Sequence, residues 1–264
     1  MSESDTDSEI MVIDGLHVHR SGRLVLEDIR FNIKTGEFVG IVGPNGGGKT
    51  TLLLTILGIL QSTSGKIEVF GRNPYPTNFQ GRVGWVSQTA ANIPSKMRMT
   101  VKELITTGTV SRIEIFQKDS SEKRKRVLEA MELTGISELA DKDISRLSGG
   151  ERQRAVIGRA LASNAEVLIF DEPLVNVDRN ARNGILKLLD DLCHEQNKTL
   201  VLVSHDMAAI RQSVHRVIYL DGKIQFDGSP EDLPDMVHLA GSVSYTHLRA
   251  HETKANLVCR LLLE

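Results

Sequence analysis

Short apolar runs alternate with helically spaced stretches through most of this 264-residue chain. Val12 to Val18 and Val25 to Ile33 carry strand patterning, separated by the turn residues Ser21 and Gly22. Phe38-Val39-Gly40-Ile41-Val42 has no charged or hydroxyl position, which predicts a strand buried on both faces of a parallel sheet. A helix is expected over Thr50 to Leu60, then strands over Lys66 to Phe70 and Val83 to Val86. The texture changes after that. Val101 to Gly108, Ser120 to Leu133 and Ile136 to Ala140 have helical spacing, so residues 89–147 read as a helical insert. Alternation then resumes. Helices are expected over Glu151 to Ala162, Ala181 to Glu195 and Met207 to Val214. Strands are expected over Val167 to Phe170 and Thr199 to Val203, followed by a hairpin-like pair, Val217 to Leu220 and Lys223 to Phe226, around Asp221-Gly222. Strands alternating with helices imply a mostly parallel sheet with helices packed on it.

Composition narrows the class. At 40% hydrophobic and 25% charged residues, the chain has ordinary globular composition. Its formal net charge of −2 supplies no basic field for nucleic acid. No apolar run approaches the roughly 20 residues that cross a bilayer. The acidic, polar start is the opposite of a secretory leader. Cys193 and Cys259 are too few for a disulfide framework, so a reducing, cytosolic compartment is expected. Residues 1–9 read as a disordered acidic tail.

Three stretches carry candidate chemistry. The first, Gly43-Pro44-Asn45-Gly46-Gly47-Gly48-Lys49-Thr50, lies between an apolar strand and a helix and matches G-x-x-x-x-G-K-[ST]. Its glycines let backbone N–H groups wrap a phosphate. Lys49 is placed for the β/γ-phosphates and the Thr50 hydroxyl for Mg²⁺. The second is Val167 to Glu172, four apolar residues ending in two carboxylates. Ligands of parallel sheets bind beyond the carboxyl ends of strands, so Asp171 is placed to face the Mg²⁺ and Glu172 to act as general base on water. The third is Ser148-Gly149-Gly150-Glu151, where a serine and two glycines open a helix and form an anion site. Two phosphate-seeking loops for one nucleotide suggest a site assembled from two molecules.

Together these motifs resemble the nucleotide-binding subunit of ATP-binding cassette (ABC) transporters over about residues 10–235. The resemblance implies an α/β P-loop NTPase (RecA-like) core, residues 10–88 and 148–240, with an N-terminal antiparallel β hairpin and the insert at 89–147. It implies that Gly43 to Thr51 is the Walker A loop, Asp171 the Walker B aspartate, Glu172 the catalytic glutamate and Leu147 to Glu151 the signature. Gln88 occupies the Q-loop position, touching Mg²⁺ and water. Asp178 fits the D-loop and His205 the switch histidine. The implied cofactors are ATP and Mg²⁺. The implied partners are a second copy joined head to tail, an integral-membrane permease docked on the insert and, indirectly, a substrate-binding protein. The implied location is the cytoplasmic face of the membrane, with contact residues expected among Ile93, Met97 and Met99.

Three positions depart from the family pattern. Glu151 stands where the signature usually ends in Gln, and puts a negative charge near the γ-phosphate region. Leu174-Val175-Asn176-Val177 is unusual before Asp178. Arg20 stands where an aromatic usually stacks on adenine, and its planar guanidinium can stack instead. The segments Val83 to Gln88, Ala91 to Pro94, Met99 to Ile105, Met207 to Gly222 and Phe226 to Gly228 resemble the zinc, manganese or iron importer branch. A siderophore- or cobalamin-type importer ATPase, or a soluble iron–sulfur assembly ATPase, is the alternative. Residues 241–264 do not resemble this family and read as a non-native tail; His247 and His251, four apart, are a possible zinc pair there.

Overall fold

Opposite modes of strand pairing divide the chain into two sheets. Strands β1 (Glu9–Arg20), β2 (Arg23–Lys34) and β4 (Ser64–Val69) form an antiparallel sheet in the order β2-β1-β4. Strands β3 (Phe38–Val42), β5 (Val83–Val86), β6 (Val167–Asp171), β7 (Thr199–Ser204), β8 (Arg216–Asp221) and β9 (Lys223–Gly228) form the second, in the order β5-β6-β7-β3-β8-β9. Pairing in it is parallel except for the β8–β9 hairpin. This computed structural model describes residues 8–77, 79, 81–92, 98–109, 121–175, 177–206, 211 and 213–233. All the strands and helices named here lie in residues 1–230, one of two units; the other is residues 231–264.

The central strands explain the apolar runs. Every residue of β3, β6 and β7 is buried, and alternate residues such as Val39, Ile41, Ile169 and Val201 pack in one core with β1, β2 and the helix that follows β3. Helix α1 (Lys49–Ile56) contributes Leu52, Leu53 and Ile56 to the core shared with β1, β2 and β3. Helix α5 (Arg179–Gln196) buries Ile185, Leu188, Leu189 and Leu192, a stripe at helical spacing.

Between β5 and β6 the chain is helical: α2 (Val101–Thr106), α3 (Ser121–Leu133) and α4 (Gly149–Ala162). Helices α2 and α3 pack on each other and on α4. The Thr100–Glu103 pair forms a capping box at the start of α2, with the side chain of each accepting from the other's backbone N–H.

Several boundaries differ from the sequence expectation. The strands β1 and β2 extend beyond Val12–Val18 and Val25–Ile33, and Glu9 starts β1 instead of closing a disordered tail. Helix α1 stops at Ile56, short of Leu60, where the chain tightens through Leu57 and Gly58 N–H bonds to Leu53 and Thr55. Ile136 to Ala140 is no helix but a single 3₁₀ turn over Ser137–Leu139. Helix α4 begins at Gly149, two residues early, because Ser148 caps it. Residues 1–7, 207–210, 212 and 234–264 lie outside the described residues, and with them the tail, most of the Met207 to Val214 helix, His247 and His251. Ile93 and Met97 do too, whereas Met99 is half-buried.

Candidate nucleotide site

Four neighbouring parallel strands end at one edge of the sheet. In the order β5-β6-β7-β3 they run directly into Ser87-Gln88, Asp171-Glu172, His205 and Gly43. Adjacent strands lie about 4.8 Å apart, so residues far apart in the chain become close neighbours. Gln88, Lys49, Thr50, Asp171 and Glu172 line one cavity of about 240 Å³, together with Gly46, Gly48 and Arg20.

The phosphate loop owes its shape to close backbone approaches. Gly43 has φ 153°, and a Cβ there would come within 1.9 Å of the Leu220 carbonyl oxygen. Gly48 caps α1 at φ 95°, where a Cβ would meet Leu26 Cδ2 at 2.5 Å. Only glycine fits both places. The loop is tied to the β8–β9 turn by the bond from Gly222 N–H to the Gly47 carbonyl, 2.9 Å.

Lys49 is 7% exposed, and its ammonium donates to the carbonyls of Gly43 and Pro44 at 2.8 and 2.9 Å. Burial pulls its pKa below the usual lysine value, with Glu172, Asp171 and Asp221 partly restoring it. The ammonium is thus held over the loop, where phosphate oxygens can compete for it.

Asp171 is 4% exposed, and its Oδ1 is buried without a hydrogen-bond partner among the described residues. Burial first, then the neighbouring Glu172 carboxylate, raise its pKa, while Lys49 opposes. An orphaned buried carboxylate oxygen is costly unless a cation or donor meets it. The Thr50 hydroxyl, the Gln88 side chain and Asp171 offer hard oxygen donors around the same cavity, a set that suits Mg²⁺.

Glu172 follows β6 in a left-handed conformation, φ 53°. This is uncommon for a non-glycine residue and costs roughly 1–3 kcal/mol. The bond from its N–H to the Val203 carbonyl, 2.9 Å, holds it there. The turn aims the side chain at His205, whose Nδ1 stands 2.7 Å from Glu172 Oε2. Its neighbour Asp206 pairs with Arg182 on α5 at 2.6 Å. Nothing in the sequence pairs positions 24 apart across a strand, so Arg182 was not among the candidates from sequence.

The remaining candidates are distributed differently. A second cavity, about 380 Å³, adjoins the first through Gln88 and Glu172, and Gly149 lines it with Arg152 and Gln153. Ser148, Gly149, Gly150 and Glu151 do not line the cavity of the phosphate loop. Asp178 is the N-cap of α5, its carboxylate accepting from the N–H groups of Asn180 and Ala181.

The Glu151 carboxylate is held at the start of its own helix. Oε2 accepts from Ser148 N–H at 2.7 Å, Ser148 Oγ accepts from Glu151 N–H at 3.2 Å, and Lys142 approaches Glu151 Oε1 at 3.4 Å. The Ser148 N–H contact above all, with help from Lys142, lowers the carboxyl pKa. The loop is therefore not wholly bare: the capping box occupies the N–H groups of Ser148 and Glu151. Lys142, nine residues upstream in no motif, carried no sequence signal.

The sequence profile of a family described as ABC transporter matches residues 26–175. The zinc uptake system ATP-binding protein ZurA of Listeria innocua is 34% identical over 225 residues, covering 85% of this chain and 88% of that protein. The structure of cbiO1 from Clostridium perfringens, part of the ABC transporter complex cbiONQ, superposes with a TM-score of 0.78 at 28% identity, covering 92% of this chain and 98% of that one. A bacterial ABC transporter cassette solved as a dimer gives 0.71 at 28% identity, with 83% and 98% covered. The strand-edge cavity with its phosphate loop thus sits in a chain that belongs to the ABC transporter family of ATP-binding cassettes.

Proposed function

We propose that this chain is the ATP-hydrolysing subunit of an importer for a divalent metal ion, zinc foremost among zinc, manganese and iron. The observation that carries the chemistry is the 2.7 Å contact of His205 Nδ1 with Oε2 of Glu172, which lines the phosphate-loop cavity; His205 itself does not line it. That contact leaves the other carboxylate oxygen of Glu172 to accept a proton from water as that water bonds to the γ-phosphorus. The β–γ bridging oxygen then leaves with ADP, and inorganic phosphate is the second product. Lys49 and the N–H groups of Gly46 to Lys49 hold the β- and γ-phosphates. Thr50, Asp171 and Gln88 would hold Mg²⁺, which when bound neutralises charge on the β/γ-oxygens. Arg20 at the cavity rim stacks on adenine.

The signature loop belongs to the nucleotide of a second copy. Ser148, Gly149 and Gly150 are absent from the lining of this chain's own phosphate-loop cavity, which supports that reading. Asp178 stands at the junction of the copies. The core, residues 10–88 and 148–240, closes head to tail on two ATP molecules. Gln88 and the insert, residues 89–147, pass that motion to an integral-membrane permease at the cytoplasmic face, with a substrate-binding protein delivering the metal. Zinc is favoured because the ZurA relative spans most of both chains. No helix of the described residues is long and apolar enough to cross a membrane.

Glu172→Gln tests the general base. The variant is expected to bind ATP while its steady-state hydrolysis falls at least about 100-fold; wild-type turnover would overturn the assignment. Lys49→Ala is expected to lose nucleotide affinity. For the cargo, deleting the gene is expected to lower cellular zinc under zinc limitation, measured by elemental analysis. Unchanged zinc with a new requirement for cobalamin would point to the alternative branch.

A further inference from the structure

Asp190, His194 and His215 come together at the C-terminal end of α5, and none of them lines either cavity at the nucleotide edge. Asp190 and His194 are an i,i+4 pair on one helix face. His215 enters from the segment before β8, where its backbone N–H donates to the Phe38 carbonyl at 2.8 Å. His194 Nε2 stands 3.3 Å from Asp190 Oδ1, and 3.3 Å from His215 Nε2. The rings tilt at 50°, so they meet at their Nε2 atoms rather than stacking. All three ligand atoms lie within 4.8 Å of one another.

The two 3.3 Å spacings match edges of a coordination tetrahedron, and the third pair of ligand atoms lies within 4.8 Å. With metal–ligand bonds of about 2.0–2.1 Å, tetrahedral zinc has ligand–ligand edges of roughly 3.3–3.4 Å. Protons alone do not satisfy the cluster. Phe38 N–H points at His215 Nδ1 at 3.3 Å, which leaves the neutral ring's proton on Nε2, aimed at His194. His194 Nε2 must then offer a lone pair to His215 and meet Asp190 as a second acceptor, or carry a proton and oppose the one on His215. A cation facing all three atoms removes the conflict at the Nε2 atoms, at the expense of the long Phe38 contact to His215 Nδ1.

We propose that Asp190, His194 and His215 form a reversible site for a late first-row divalent metal ion such as zinc, with water completing the coordination. The imidazole–carboxylate donor set suits that class of ion rather than Mg²⁺ or Ca²⁺. Binding at His215 Nε2 moves its ring proton to Nδ1 and breaks the long contact with Phe38. Metal-bound histidines usually donate that second N–H to a carbonyl or carboxylate, and lacking such a partner typically costs 10–100-fold in affinity. The site is therefore exchangeable rather than structural.

The experiment is a zinc titration of the purified full chain in chelator-treated buffer against a chromophoric competitor. One zinc equivalent is expected, weakened at least tenfold in both Asp190→Asn and His194→Gln. These side chains are 42% and 61% exposed, so both variants are expected to keep the wild-type circular dichroism. Co²⁺ in place of zinc is expected to give tetrahedral visible absorption that His194→Gln loses. Replacing His247 and His251 is expected to leave that equivalent intact. The proposal is overturned if both variants titrate as wild type, or if the equivalent disappears with the His247 and His251 changes instead. Hydrolysis of MgATP in zinc-free buffer stays at the wild-type rate in both variants, so failure here is distinct from failure of the ATPase assignment.

Discussion

Asp171 sits where ligand chemistry and folding pull in opposite directions. Its buried Oδ1 has no hydrogen-bond partner among the described residues, and its pKa is raised by burial and by Glu172. A carboxyl with a raised folded-state pKa destabilises the fold when ionised. That penalty is full above the folded pKa and disappears as the pH falls below the ordinary carboxylate value. Asp171→Asn is therefore expected to raise the ligand-free melting temperature at pH 8, each ~1 kcal/mol giving roughly 2–4 °C. The gap from wild type should shrink as the pH is lowered toward 4, as a pH series of thermal melts can check. The same variant is expected to lose MgATP hydrolysis, because a neutral amide is a poorer Mg²⁺ ligand. A melting temperature below wild type at pH 8 would contradict the account. At this scale the sequence was highly legible. Lys49, Thr50, Asp171 and Glu172 stand in motifs whose spacing is local. Lys142 and Arg182 were not legible, because their partners Glu151 and Asp206 are chosen by packing.

Helix ends and helix contacts carry the predictions for the elements. Gln at the third position of a capping box serves as Glu does, so Glu151→Gln is expected to change stability by less than about 0.5 kcal/mol and to leave ATP-driven dimer closure equal or stronger. Glu151→Ala removes the cap and is expected to cost about 1 kcal/mol by denaturant unfolding. Where the insert meets α4, a Cβ on Gly108 would fall 1.9 Å from the Arg159 carbonyl oxygen, which is backbone and cannot rotate away. Gly108→Ala is expected to cost at least about 2 kcal/mol and to open the α2 region to proteolysis, read by limited digestion. Element types followed well from apolar runs and helical spacing: Phe38–Val42 and Val83–Val86 are strands with the expected limits. Ile136–Ala140 misled because five residues of helical spacing are too few to nucleate a helix alone, and packing there leaves one 3₁₀ turn.

The assembly is tested at the scale of the whole molecule. Glu172→Gln with ATP is expected to run as a dimer by light scattering, and adding Ser148→Arg is expected to return it to a monomer that still binds ATP. A dimer that persists with Ser148→Arg would remove the signature loop from the interface. Several properties were already present in the chain alone: alternating strands and helices, a phosphate loop, a carboxylate pair after a strand, and a serine–glycine helix start. They are local, since hydrophobic period, turn chemistry and capping act over a few residues. Convergence was not local. Placing β7 beside β6 sets His205 against Glu172, 33 residues away in the chain; pairing of β5 with β6 carries Gln88, and the separate antiparallel sheet carries Arg20, to the cavity that Glu172 lines. That order follows from long-range burial of the apolar strands in one core. The same packing meets the Glu151 charge with Lys142 and brings His215 to the α5 pair Asp190 and His194.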